Sequence, residues 1–449
     1  MNRFKHTVWQ LGTLAVTFLV PLSVIADTLV IDGGTVHPVS GEPFVGRVVV
    51  ENGLIQSVAA NATIPAGATR IDANGLHVYP GMFDALSQVG LIEVGAVAAT
   101  NDQAEMGTYN PHLEAATAIN PASEIIPVTR ANGVTHCVVA PQAGGGGPSG
   151  ERGVIAGQAT LVHLAGWTVE EMAIQRSIAM VIVWPEIVTR RFDFTTFDVK
   201  ETPFNEAKDA AAEKHNELRD WMQAAKHYKQ ASGADASRAE RNLKLAALAE
   251  CLDGNMPVII HAQAERDIKQ ALDFAEEQVL RMILAGGRDA WKLADRLAAA
   301  NVPVILGLTY SVPEEEDDPY DRPFHNASVL VAAGVKIAFA SGAGGGFGPG
   351  GAHSSRSTTY EAEMAAAYGL SEEDAVKAMT IWPAEIHGVG DKLGTIEAGK
   401  IANLIVTDGN PLEITTQIRH LVINGREVST ANKHAALYER YRARDTATR

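Results

Sequence analysis

Both ends of the chain carry short segments whose polar and apolar residues alternate as in β-strands. Near the amino end, residues 47–55 predict a hairpin around an Asn-Gly turn, and residues 421–426 repeat this pattern near the carboxyl end. Neither end has enough strands to be stable alone. We therefore expect residues 27–79 and residues 388–430 to form the two halves of one small β-sandwich.

Between these ends, from residue 80 to residue 387, short apolar strands alternate with amphipathic helices. Five strands are evident from nearly continuous apolar runs, at positions 136–140, 180–184, 258–261, 302–306 and 335–340. Such strands, separated by helices, predict a parallel sheet that is buried on both faces. About three hundred residues of this α/β pattern are typical of a (β/α)8 TIM-like barrel, whose sites lie at the carboxyl ends of the strands. Residues 201–252 predict a helical insertion in the barrel, and residues 431–449 predict a helical tail.

The first residues have the pattern of an export signal. Arg3 and Lys5 precede an apolar stretch, which ends at the small residue Ala26, where a signal peptidase would cleave. This pattern predicts a signal peptide over residues 1–26, a periplasmic or secreted mature protein, and no stable membrane insertion after cleavage. The alternative is an uncleaved membrane anchor, because the apolar stretch approaches the length that spans a bilayer.

Composition narrows the range of partners. The 37 Lys and Arg against 53 Asp and Glu give a formal net charge of -16, so the surface repels nucleic acid and anionic lipid. The expected partners are a small-molecule ligand or substrate and a second protein subunit, with a homo-oligomer as the common default. The 2 cysteines, Cys137 and Cys251, lie in the patterns of a buried strand and a helix. We expect both to be free core thiols.

Several motifs follow one another in the order of a known family. They are Pro80-Gly81-Met82-Phe83-Asp84, Ile260-His261-Ala262, Thr380-Ile381-Trp382-Pro383-Ala384 and Leu393-Gly394-Thr395-Ile396-Glu397-Ala398-Gly399-Lys400-Ile401-Ala402-Asn403-Leu404. They resemble, in turn, the Pro-Gly-Leu-Ile-Asp of the first barrel strand of amidohydrolases, the His-Ala of the fifth strand, the Thr-x-x-Pro-Ala that ends the barrel, and the Leu-Gly-Ser-Ile-Glu-x-Gly-Lys-x-Ala-Asp-Leu of the second β-half. The chain is therefore identified as an imidazolonepropionase-like member of the amidohydrolase superfamily by resemblance.

The resemblance implies a hydrolase of carbon–nitrogen bonds other than peptide bonds, such as those of cyclic amides. The family uses zinc or another divalent metal. The metal is held by His-x-His on strand one, a carboxylated Lys or a Glu on strand four, single His residues on strands five and six, and Asp on strand eight. Water bound to such a metal loses a proton near neutral pH and becomes the nucleophile.

Carried over onto this chain, most of these positions lack a ligand. The residues that stand there are Leu86 and Gln88 for His-x-His, Ala285 for the His of strand six, and Gly342 for the Asp of strand eight. Strand four offers no Lys or Glu before Glu186, one step past the expected position, and only His261 is retained. One imidazole does not hold zinc or iron against water, so we expect no metal cofactor at this site.

His261, at the carboxyl end of an apolar strand, is the candidate catalytic residue, either as a functional imidazole or as a relic that hydrogen-bonds locally. Polar residues expected at the same face form a candidate substrate pocket, namely Gln88, Glu93, Asp102, Glu105 and Ser341. With His261 the acids predict a metal-free acid–base site or a displaced metal site, and the alternative is a solvated surface. Glycine-rich segments at 144–150 and 342–351 predict either backbone that lines a pocket or loops that fill vacated space.

Two hypotheses on function follow. In the first, the chain is an exported hydrolase of carbon–nitrogen bonds with a rebuilt site. In the second, it is a catalytically inactive member of the family that binds a ligand or pairs with an active amidohydrolase. The retained motifs support a maintained fold under both hypotheses, and the missing ligands favour the second.

Overall fold

The computed structural model describes residues 28–143, 153–193, 198–234, 240–307, 309–313, 315–343 and 350–446. The predicted signal peptide, the first glycine-rich segment and the middle of the second lie outside these residues. The strands of the described part are β1 (Thr28–Val36), β2 (Phe44–Glu51), β3 (Leu54–Ala59), β4 (Thr69–Asp72), β5 (His77–Pro80), β6 (Met82–Ser87), β7 (Val134–Val139), β8 (Ile155–His163), β9 (Ala173–Val183), β10 (Arg190–Asp193), β11 (Asp198–Glu201), β12 (Val258–Ala262), β13 (Met282–Gly286), β14 (Val304–Leu306), β15 (Ile337–Phe339), β16 (Leu404–Thr407), β17 (Ile418–Ile423) and β18 (Arg426–Glu427).

The α-helices of the same part are α1 (Ile125–Arg130), α2 (Val169–Met172), α3 (Phe204–Ala234), α4 (Leu243–Ala249), α5 (Glu265–Gln278), α6 (Ala294–Ala299), α7 (Arg322–Ala332), α8 (Gly350–Ser354), α9 (Thr358–Ala367), α10 (Glu372–Ala378), α11 (Ile381–Ile386) and α12 (Lys433–Thr446). Short 3-10 turns lie at Ala98–Thr100, Ala115–Thr117, Leu252–Gly254, Ala290–Leu293 and Ser355–Ser357.

Strands from both ends of the chain share one sheet. Its order is β18-β17-β16-β5-β1-β2-β3, with β4 beside β1. The carboxyl half joins the amino half directly, because β16 pairs antiparallel with β5. Apolar side chains from both halves, among them Ile31, Val48, Leu404 and Val422, lie in one buried cluster. The two halves therefore share one core, as expected. Their strands are hydrogen-bonded into one continuous sheet.

A second sheet of eight strands has the order β15-β14-β13-β12-β9-β8-β7-β6. Its two ends meet, because the N–H of Gly342, just after β15, donates to the carbonyl oxygen of Leu86 in β6 at 2.7 Å. Alternate residues of its strands belong to two apolar clusters. Ile259 lies in the cluster inside the ring, and Ile260 lies in the cluster that the surrounding helices share. The result is a nearly closed TIM-like ring with two buried faces.

One strand departs from the expected barrel. β8 pairs antiparallel with both β7 and β9, whereas the other recorded pairs in this sheet are parallel. Only residues 164–172, with the one-turn α2, connect β8 to β9. This connection is too short for the crossover that a parallel pair requires. The all-parallel (β/α)8 arrangement is therefore wrong at its third strand.

Between β9 and β12 the chain leaves the ring at its carboxyl face and forms the hairpin β10–β11 and the helices α3 and α4. One face of α3, with Leu218 and Met222, is buried. Nε2 of His215 donates to the carbonyl oxygen of Pro185 at 2.8 Å, which ties α3 to the segment after β9. The insertion therefore starts at the rim, and α3 then runs along the outside of the ring. Lys226 reaches Gln278 at the end of α5, and Lys229 pairs with Asp253 just before β12.

The two cysteines are buried and free, and burial raises the pKa of the Cys251 thiol to about 12. Both are core thiols. Across the described ranges, we found no helix with the length and apolar character needed to cross a membrane.

Candidate functional site

The first barrel strand carries a fully buried carboxylate, Asp84, at the edge where β6 meets β15. Its Oδ2 accepts hydrogen bonds from the hydroxyls of Ser341 and Ser355, each at 2.6 Å. Its Oδ1 accepts from the backbone N–H groups of Ser341 at 3.0 Å and of Leu86 at 3.4 Å. The hydroxyl of Ser87 lies 3.0 Å from that of Ser341. One carboxylate thus joins the ends of both strands.

Burial raises the pKa of Asp84 to about 6, and hydrogen bonds from the two serines and from Leu86 oppose this rise. The carboxyl group has no exposed surface. It holds the strand ends together and has no open side toward a substrate. Of the residues in this network, the sequence pattern singles out only Ser341 as a pocket residue. Ser355, on the far side of a glycine-rich segment, carries no signal in the sequence that links it to Asp84.

Two of the positions where the family places metal ligands, Gln88 and Gly342, lie against each other. A Cβ added at Gly342 would stand 2.7 Å from Nε2 of Gln88, and one added at Gly351 would stand 1.5 Å from its Oε1. The side chain of Gln88 is buried, and its Oε1 has no hydrogen-bond partner in the described part of the chain. The carboxamide therefore fills the space between the two glycines.

His261 lies at the end of β12, directly across from Ala285 in β13. The residue is partly exposed, and desolvation by the surrounding protein lowers its pKa to about 4, so the imidazole is neutral at pH 7. Its backbone carbonyl accepts from the N–H of Trp184 at 3.0 Å. The same desolvation disfavours the protonated ring, so His261 is a weak base in this position.

The residues around His261 do not fit a divalent metal of the family type. Leu86 and Ala285 are fully buried in the apolar cluster inside the ring, and Glu186, beyond β9, is exposed. In the ranges that the structure covers, no group of three or more His, Cys, Asp or Glu is placed to hold a metal ion. Zinc sites need at least three protein ligands, and among the positions that the resemblance assigns to ligands only His261 carries an imidazole.

The acids expected in the pocket lie on the loop after β6. Glu93 is half-buried, its N–H donates to the carbonyl oxygen of Thr100 at 3.0 Å, and its carboxylate Oε1 is buried without a hydrogen-bond partner among described residues. Asp102 and Glu105 are exposed. The hydrogen bonds of the described residues do not join these three acids to His261. They stand as separate groups on the loop. At the strand ends Ser341 bonds to Asp84, and Gln88 packs against Gly342.

A second polar cluster, which no motif in the sequence indicates, lies at the opposite end of the ring. Nδ2 of Asn403 donates to Nδ1 of His136 at 3.3 Å and to Nδ1 of His163 at 3.2 Å. Its Oδ1 accepts from the N–H of Asn424 at 2.8 Å. Burial lowers the pKa of His136 to about 3 and that of His163 to about 4. This cluster fastens the ring to the terminal sheet through two neutral imidazoles.

Comparison with known proteins agrees with the fold and the motifs. The chain matches the model of the Amidohydrolase family over residues 197–430. It is similar to the amidohydrolase tasK of Hapsidospora irregularis, with 24% identity over 397 residues, which are 83% of this chain and 38% of that protein. The chain thus spans about two fifths of the length of this curated relative.

Among solved structures, an amidohydrolase from Thermotoga maritima is 26% identical and superposes with a TM-score of 0.74, covering 89% of this chain and 99% of that one. A prolidase complexed with N-methylphosphonate-L-proline is 19% identical, with a TM-score of 0.51, over 90% of this chain and 99% of that one. At that identity the second likeness concerns the fold alone.

Proposed function

Because the chain belongs to the amidohydrolase family, we propose that it is an exported member which has lost metal-activated hydrolysis and acts as the partner subunit of a ligand-complete amidohydrolase. The observation that carries this proposal is the side chain of Gln88. It fills the space beside Gly342 and Gly351. The resemblance places a histidine at position 88 and an aspartate at position 342, both around a metal. A metal would have to displace a buried side chain and would then find one imidazole, His261.

A partner subunit is supported by the surface at the barrel mouth. Loops after β6 and β14 carry large apolar side chains that are well exposed, among them Met106, Val312 and Tyr320. Both loops follow the carboxyl ends of barrel strands, where exposed apolar side chains are available for contact with a second protein. In the curated relative from Hapsidospora irregularis, more than half of the length lies outside the part that this chain matches. Such a protein has room for a second unit of the same size.

A second candidate function rests on His261. Its imidazole is partly exposed at the barrel mouth, where it would act as a general base in spite of a pKa lowered to about 4. In this hydrolysis His261 takes a proton from water, and the resulting hydroxide attacks the carbonyl carbon of a cyclic amide. The C–N bond then breaks, and the imidazolium returns the proton to the leaving nitrogen. This route uses no metal.

One set of measurements separates these candidates. Purified mature protein is assayed for zinc, iron, nickel and manganese by plasma mass spectrometry, and for hydrolysis of a panel of cyclic amides and dipeptides. Less than about a tenth of an equivalent of metal, no hydrolysis, and a stable complex with a co-expressed, ligand-complete homologue from the same genome support the partner subunit. Hydrolysis that is lost in His261→Ala would replace it with the second candidate. Stoichiometric metal would overturn both.

Export is tested separately. Cleavage after Ala26 predicts a mature protein that begins at Asp27, in the soluble periplasmic or extracellular fraction. Intact mass spectrometry of the fractionated protein measures this directly. Ala26→Tyr, which places a large side chain at the cleavage position, is expected to leave the full-length chain in the membrane fraction. A full-length wild-type chain in that fraction would establish the anchor instead.

A further inference from the structure

The insertion and the loop after β6 enclose a groove that the preceding functions do not use. It has a volume of about 530 Å³, is open to solvent on one side, and is lined by Thr108, Tyr109, Glu217, Asp220, Trp221 and Lys244. The rings of Tyr109 and Trp221 stack with centroids 5.4 Å apart. Glu217, Asp220 and Trp221 follow one another at helical spacing, so they project from the same side of α3.

The aromatic pair is held rigidly in place. The hydroxyl of Tyr109 donates to Oε2 of Glu217 at 2.7 Å, and desolvation together with this carboxylate raises the pKa of Tyr109, so the hydroxyl stays protonated. Nζ of Lys244 donates to the backbone carbonyl of Tyr109 at 2.8 Å. The loop and both helices of the insertion therefore meet at one fixed aromatic surface.

The groove favours a cation. Two carboxylates, Glu217 and Asp220, line the groove together with one ammonium, Lys244. The Lys244 ammonium stands 5.8 Å from the centroid of Trp221, within the distance at which a cation is attracted by an aromatic ring. His112, beside Lys244, contributes no positive charge, because desolvation and the Lys244 ammonium lower its pKa. The uncompensated charge of the lining is therefore negative, next to an aromatic face.

We propose that this groove binds a small organic ammonium, a primary amine carried on an aromatic or aliphatic body. The ammonium would pair with Asp220 and Glu217, and the body would lie along Trp221 and Tyr109. A carboxylate ligand would be repelled by the two acids, and a neutral ligand of the same shape would gain no charge pair with them. This site lies on the barrel rim and does not depend on the proposed partner-subunit role.

Benzylamine, benzyl alcohol and benzoate, which share one ring and differ in charge, are suitable probes. Each is titrated into the mature protein by isothermal calorimetry at low ionic strength, where charge pairs are least screened. We expect benzylamine to bind on the order of tenfold more tightly than benzyl alcohol, with no binding of benzoate. Asp220→Asn and Glu217→Gln should each weaken benzylamine binding by about fivefold or more. Glu217→Gln keeps an acceptor for the Tyr109 hydroxyl.

Asp209→Asn is the matched control, because Asp209 is exposed on the same helix and outside the groove. Its affinity should stay within about twofold of wild type. Asp220 is exposed, so Asp220→Asn keeps the test valid even if another variant fails to fold. The proposal is overturned if wild type binds no benzylamine, if benzyl alcohol binds equally well, or if Asp220→Asn and Glu217→Gln both leave the affinity unchanged.

Discussion

Nε2 of Gln88 lies 2.7 Å from the point where a Cβ at Gly342 would stand, so the two residues occupy one space between them. In the family resemblance these two positions belong to a histidine of strand one and an aspartate of strand eight. Here the carboxamide at the first position lies in the space that the absence of a side chain at the second leaves free. The pair therefore packs as a core contact.

The contact between Gln88 and Gly351 predicts that one methyl group added at position 351 destabilises the protein only when Gln88 is present. In Gly351→Ala the new Cβ would stand 1.5 Å from Oε1 of Gln88, which has to leave its buried position. Overpacking of this kind lowers the free energy of unfolding by about 1–3 kcal/mol. In the Gln88→Ala background the space is free, and alanine in α8 should be neutral or stabilising by up to about 1 kcal/mol. Urea unfolding of the four proteins in this cycle measures the difference.

Gly41→Ala is the control for this cycle, since a Cβ at Gly41 would meet nothing within 4 Å. Its free energy of unfolding should change by less than about 0.5 kcal/mol. Equal destabilisation by Gly351→Ala with and without Gln88 would show that the two residues do not share the space.

The identity of the site residues follows from the sequence, whereas their contacts do not. Motifs around Asp84 and His261 define the register of β6 and β12, so the residues at the ligand positions can be read directly. The hydrogen bond from Ser355 to Asp84 is not predictable in this way, because it forms where the ring closes, between segments far apart in the chain. The direction of β8 is not predictable either, because an apolar run has the same pattern whether its strand is parallel or antiparallel to its neighbours.

Ligand restoration tests whether the ring still has the geometry of a metal site. The triple substitution Leu86→His, Gln88→His and Ala285→His adds three imidazoles to His261 and leaves Gly342 unchanged. Without metal this variant should melt below wild type, because Leu86 and Ala285 lie in the apolar cluster inside the ring. Zinc at about 100 times its Kd should restore on the order of 3 kcal/mol to the triple variant, and nothing to wild type.

Thermal unfolding with and without zinc, followed by metal analysis after gel filtration, provides the readout. Ala285→His alone, which leaves two imidazoles on neighbouring strands, is the control and should gain much less. A wild-type protein that zinc stabilises as strongly as the triple variant would contradict the loss of the site.

Acid should destabilise the folded protein over a defined range of pH. Burial lowers the pKa of His136 to about 3 and the pKa values of His163 and His387 to about 4, from an unfolded value of 6.5. Between pH 6.5 and 4 the unfolded chain therefore binds protons that the folded chain does not. Each histidine then lowers the free energy of unfolding by about 1.4 kcal/mol per pH unit as the pH falls.

Asp84 acts in the opposite direction in nearly the same range. Its pKa is raised from 3.8 to about 6, so the folded state takes up its proton first and gains stability as the pH falls from 6 to 3.8. Asp84→Asn should therefore steepen the loss of stability on acidification, whatever its effect at pH 7. Urea unfolding between pH 7 and 4.5 compares the two slopes. An unchanged slope in the variant would show that Asp84 keeps its ordinary pKa in the folded state.

Asn403, at the junction of the ring and the terminal sheet, stands where the family motif has aspartate. Replacing it by aspartate therefore tests how the two neighbouring histidines respond to pH. Its Nδ2 donates to Nδ1 of both His136 and His163, and these rings are neutral. Asn403→Asp would bring acceptor oxygens against two acceptor nitrogens, at a cost of about 2–4 kcal/mol near pH 8. Below pH 6.5 the histidines can take up protons and pair with the new carboxylate. The destabilisation relative to wild type should therefore shrink as the pH falls toward 5.

Asn403→Ala removes the same donor without adding charge, so its destabilisation relative to wild type should change little across this range. The measurement is urea unfolding of the three proteins near pH 8, 6.5 and 5. If Asn403→Asp and Asn403→Ala differ from wild type by the same amount at every pH, the two imidazoles do not respond to residue 403. The hydrogen-bond assignment at the junction would then be wrong, because a carboxylate 3.2 to 3.3 Å from two ring nitrogens has to raise their proton affinity.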